Sequence, residues 1–84
     1  MSWLPVTSSA FKSVRHDPLS RTLDVLYHNG TIYRYHRVPA RVYIKLVGSS
    51  SPGTYLNEGV KPFFSSIELP RTPQTLEPLE DTEE

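Results

Sequence analysis

An α+β fold follows from three features of the 84-residue chain. These are a period-two run at Leu23, Val25 and Tyr27, a turn-forming Asn29-Gly30 pair, and an apolar stripe at helical spacing after Pro39. Together they predict a small antiparallel three-stranded meander over about 13–17, 22–27 and 31–37, packed against a short helix over about 39–47. A second short helical turn is expected over about 52–58. An acidic, Pro-rich tail over 67–84 is expected to be disordered, which leaves residues 1–66 as a single domain.

The elements follow in order. Val6 can begin a short strand, and Ser8 and Ser9 suit a hydroxyl-capped turn. Ser13 to Asp17 places Val14 and His16 on one face of a strand. Asp17-Pro18 then opens a turn, because Pro fixes φ and pushes its predecessor into an extended conformation. Thr22 to Tyr27 is the clearest strand of the chain.

Asn29-Gly30 admits two hairpin geometries. A two-residue type I′ turn sets Val25 opposite Arg34 and Leu23 opposite His36, burying Arg34 beside the aliphatic face. A three-residue loop, His28-Asn29-Gly30, with Gly30 as the left-handed residue of a G1 bulge, sets Val25 opposite Tyr33 and Leu23 opposite Tyr35. Arg34 and His36 then point outward with Asp24 and Leu26. Burying an unpaired Arg costs on the order of several kcal/mol, which favours the bulged register.

Val38-Pro39 ends the third strand. Pro39 suits the first helical position, and Gly48 can supply a left-handed C-terminal residue. Val42, Tyr43, Leu46 and Val47 form the buried stripe, with Arg41 and Lys45 on the solvent side. Ser51-Pro52 is an N-cap and N1 pair for a second helix stopped at Gly59, and Phe63-Phe64 is expected to close the core.

The formal net charge of zero conceals an asymmetry. Residues 1–66 carry +5 and residues 67–84 carry −5. A basic globule points to an anionic partner, with the tail as a competitor for the same face. The chain has no Cys, which rules out disulfides and thiolate metal sites. It shows neither a leader pattern nor an apolar run of membrane length, so a cytoplasmic, membrane-free protein is expected.

The succession Ser8-Ser9, Val14, Asp17, Leu23-x-Val25-x-Tyr27, Asn29-Gly30, Tyr33-x-Tyr35, Val38-Pro39, Tyr43, Leu46 and Gly53-x-Tyr55-x-Asn57 resembles the KTSC domain family over about residues 6–64. The central Tyr-x-Tyr, here Tyr33-Arg34-Tyr35, is the hallmark that carries the resemblance. That family occurs at the C-terminus of some lysyl-tRNA synthetases and as short bacterial and phage proteins. The resemblance implies a binding role with RNA as the suggested ligand. His16 stands where the family often has Tyr, and Leu56 where it often has an aromatic.

The expected function is non-catalytic binding of RNA or single-stranded nucleic acid. The candidate residues are Arg34, Arg37, His36, Arg41 and Lys45 as a basic strip, with Tyr33 and Tyr35 as stacking rings if exposed. In the bulged register those two rings belong mostly to the core. The alternative is a protein-interaction module, an inhibitor, adaptor or homodimer that meets an acidic partner. No catalytic residues, metal or cofactor are expected. His16, His28 and His36 have no close-spaced partner, and Ser8, Ser9 and Ser51 lack a nucleophile elbow or positioned base.

Overall fold

A computed structural model of the chain describes residues 3–70. Five antiparallel strands form one sheet in chain order: β1 (Leu4–Pro5), β2 (Ser13–Asp17), β3 (Thr22–Leu26), β4 (Ile32–Tyr35) and β5 (Ser66–Leu69). Between β4 and β5 run α1 (Ala40–Gly48) and α2 (Pro52–Tyr55), the latter continued by a π-helical turn, Leu56–Val60. The architecture is α+β. The expected three strands are the centre of a wider sheet, flanked by β1 and β5. β5 takes residues 67–69 out of the expected tail, and residues 71–84 of that tail lie outside the described residues.

The hairpin takes the bulged register. Val25 pairs with Tyr33 and Leu23 with Tyr35. The Gly30 N–H donates to the Tyr27 carbonyl at 3.0 Å, and the Tyr27 N–H to the Thr31 carbonyl at 2.8 Å. Gly30 has φ 89°, a conformation that a Cβ would strain. Asn29 Oδ1 accepts the Thr31 N–H at 2.9 Å, so its side chain completes the turn.

Turn chemistry also sets the β2–β3 connection. The Asp17 carboxylate accepts the Leu19 N–H at 3.0 Å, which holds Asp17 below the usual carboxylate range. Ser8 caps its own turn as expected, accepting the Ala10 N–H at 3.0 Å.

Helix boundaries depart from the sequence expectation. Pro39 precedes α1 in an extended conformation, and Gly48 is the last helical residue; Gly30 is the one glycine with positive φ among the described residues. The second helix passes through Gly59, where an added Cβ would lie 3.0 Å from the Tyr55 ring. Its bare backbone lets Tyr55 lie across the turn. The third strand ends at Tyr35, because Arg37, at φ 60°, bends the chain so that the Val38 N–H reaches the Arg21 carbonyl at 2.8 Å.

Among the described residues, helices cover one sheet face only. Val14, Leu23, Val25 and Tyr35 from that face meet Phe11, Val38, Leu46, Leu56 and Val60 in the core. Phe64 packs against it, but Phe63 is 72% exposed, so Val60 and Leu56 close the core where Phe63 was expected. His16 shares the covered face. Its imidazole stacks on Tyr43 of α1 at 5.4 Å, and Nε2–H donates to the Val38 carbonyl at 2.6 Å. No helix among the described residues is long and apolar enough to cross a membrane.

Candidate functional site

Strand alternation sends neighbouring residues of β4 to opposite faces. Tyr33 and Tyr35 project to the helix side, and Arg34 projects to the uncovered side. The family-like Tyr-Arg-Tyr triplet is therefore split between two surfaces.

On the helix side the described residues leave the cover incomplete. A groove of about 730 Å³ opens beside the hairpin turn, lined by Tyr27, Tyr33 and Tyr35 together with His28, Lys61 and Glu68. Its floor follows from pairing: Glu68 of β5 lies opposite Tyr33, and Ser66 opposite Tyr35. Tyr27 meets Tyr33 edge-on, with ring centroids 5.7 Å apart and planes at 87°. The Lys61 ammonium lies 5.8 Å from the Tyr27 ring centroid, within cation–π range. Tyr35 is buried at the base and its hydroxyl lies 3.4 Å from that of Tyr27. Burial, followed by that hydroxyl contact, pushes the Tyr35 phenol well above its ordinary range, so it stays neutral. Tyr33 is only partly buried and offers its ring to the groove. His28 helps to fix the wall, its Nε2–H donating to the Ser8 carbonyl at 2.9 Å.

The uncovered face has different chemistry. Asp24 is 3% exposed and sits between two guanidiniums. Arg34 Nε and Nη2 donate to Oδ1 and Oδ2 at 2.8 and 3.0 Å, and Arg15 Nε donates to Oδ2 at 2.9 Å. Burial alone would raise the Asp24 carboxyl, but these bonds and the two positive charges outweigh it and hold it below the usual range. The same carboxylate raises Arg34. Arg15 is further held against the Trp3 ring at 4.2 Å.

The structure thus separates the residues singled out from sequence. Tyr33 and Tyr35 line the groove; Arg34, His36, Arg37, Arg41 and Lys45 do not. Arg34 has its charge matched by Asp24 on the other face. Arg37 lies at the bend after β4, and Arg41 and Lys45 lie one turn apart on the exposed side of α1. His36 follows Tyr35, its backbone N–H donating to the Ser65 carbonyl at 2.9 Å. Tyr27, His28, Lys61 and Glu68 were not foreseen as site residues. Tyr27 was within reach, since the bulged register already put it on the face of Tyr33. Glu68 lies in a segment whose composition resembles the acidic tail that follows it. Among the described residues no group of three His, Cys, Asp or Glu is placed to hold a metal.

Comparison with known proteins finds a matching family, related sequences and a solved structure of the same fold. Residues 7–64 match the model of the KTSC domain. A protein of Stutzerimonas stutzeri strain A1501 is 34% identical over 62 residues, spanning 74% of this chain and 87% of that one. A lysine–tRNA ligase of Nostoc sp. strain PCC 7120 is 33% identical over 61 residues; these are 73% of this chain but 11% of the ligase. The crystal structure of a KTSC domain protein from Yersinia pestis superposes with a TM-score of 0.78 at 26% identity, covering 82% of this chain and 97% of that one.

Proposed function

The chain belongs to the KTSC domain family, and from that premise we propose that it is a non-catalytic module binding single-stranded RNA in the tyrosine groove. The observation that carries this reading is the groove itself: a partly buried Tyr33 set edge-on against Tyr27, with the Lys61 cation at the rim. A base can stack on such a ring while the ammonium meets a phosphate. The occurrence of a matching segment within a lysine–tRNA ligase, a protein that acts on an RNA, supports RNA as the partner, and a cytoplasmic setting accords with it. The exposed Arg37, Arg41 and Lys45 add sequence-independent attraction for the strand.

The test is fluorescence anisotropy with labelled single-stranded RNA at low and moderate salt. Affinity is expected to fall as salt rises. Tyr33→Ala should lose about 1–3 kcal/mol of binding, and Lys61→Ala should flatten the salt slope by about one phosphate contact. Arg34→Ala, on the opposite face, should leave binding unchanged while lowering stability. Absence of binding at low salt overturns the reading, and full retention by Tyr33→Ala places the RNA elsewhere.

A second reading is self-association through the uncovered sheet face. It is favoured by Ile67, 53% exposed, which shares that face with the partly exposed Leu26, Ile32 and Leu69. Sedimentation of an Ile67→Lys variant reads it directly.

A further inference from the structure

We infer that the groove selects bases that carry an exocyclic amine, cytosine above uracil, through the carboxylate of Glu68; this inference rests on the RNA reading of the same groove. Two opposite charges face that groove from different elements. Lys61 follows the π-helical turn, and Glu68 lies on the edge strand β5 directly across from Tyr33. Among the described residues neither side chain has a hydrogen bond or an ion pair, and they are not paired with each other.

An exposed carboxylate in a groove that accepts a polyanion repels phosphate. The sugar–phosphate backbone is therefore expected to run on the Lys61 side. The base that stacks on Tyr33 then presents its edge toward Glu68, which sits beside that ring in the ladder.

At neutral pH a free carboxylate can only accept hydrogen bonds. Cytosine offers it the N4 amine, and a Glu or Asp accepting from that amine is an established base-reading contact. Uracil presents O4 at the same position, so two acceptors confront each other. The two pyrimidines have nearly the same ring size, which leaves the exchanged edge as the main difference between them.

The experiment compares labelled oligocytidylate and oligouridylate of equal short length, at neutral pH and low salt, with the full chain. The wild type should bind the cytidine strand about fivefold or more tightly than the uridine strand. Glu68→Gln, whose amide both donates and accepts, should bring that ratio to about one while raising affinity for both strands, since a negative charge is removed. Glu68 is exposed, so circular dichroism of the variant should match the wild type. Equal affinity of the wild type for both strands, or a preference that survives Glu68→Gln, overturns the selection while leaving RNA binding intact. Failure of both strands to bind overturns the RNA reading and this inference together.

Discussion

At Asp24 one carboxylate organises the uncovered face of the sheet. A buried acid left without partners would be protonated or would unfold its surroundings; here Arg15 and Arg34 reach it from the strands on either side. Both guanidiniums reach solvent, with side-chain exposures of 29% and 36%, so the pairs are screened and are worth less than fully buried ones. The folded-state pKa of Asp24 is depressed. The unfolded chain therefore binds more protons in acid, and this stabilisation is complete above the unfolded carboxyl value of about 3.9 and lost as pH falls through the lower folded value. Asp24→Asn should destabilise the protein by about 2 kcal/mol near pH 7, and its melting temperature should fall less than that of the wild type below about pH 4. Thermal melts across that range check it. Parallel acid sensitivity in the two proteins would show that Asp24 contributes nothing to the pH dependence. The pairing of Arg34 was half legible from sequence: the bulged register put Arg34 and Asp24 on one face, but nothing in the sequence showed that Arg15 would join them.

At the scale of elements, the hairpin was readable because Gly30 can adopt a positive φ and because the alternative buried an arginine. The strand β5 was not readable in the same way. Ser66-Ile67-Glu68-Leu69 alternates at period two, yet four residues before Pro70 and an acidic run weigh little against the composition that follows them. Pairing with β4 supplies what the local sequence lacks. Among the described residues β5 is an edge strand with one side of its ladder unpaired, next to the exposed Ile67. If copies meet there, sedimentation should show a dimer that strengthens with concentration and disappears in Ile67→Lys. A monomer at every concentration rejects that reading. The π-helical turn was equally hidden, because Gly59 looks like a stop but serves as space for the Tyr55 ring.

Across the molecule, the decisive property is that, among the described residues, the helices cover one face of the sheet and leave a corner of it open. Tyr35 is taken into the core, Tyr33 is left at the border, and the groove forms where β4, β5, the hairpin turn and the segment after the π-helical turn meet. The sequence indicated that Tyr33 and Tyr35 share a face and that this face is mainly structural; it did not indicate that the cover stops short. Nor did the charge count locate a site. Of the basic residues proposed as a strip, Arg34 spends its charge on Asp24, while the cation that lines the groove is Lys61, distant in sequence from all of them. The expected contest between the acidic tail and this surface falls on residues 71–84, outside the described residues.

Amide and aromatic chemical shifts on titration with a short single-stranded RNA would locate the binding surface. Binding in the groove predicts shifts concentrated at Tyr27, Tyr33, Lys61 and Glu68. Shifts confined to Arg41 and Lys45 of α1, or to Arg15, Arg34 and Ile67 on the uncovered face, would contradict it.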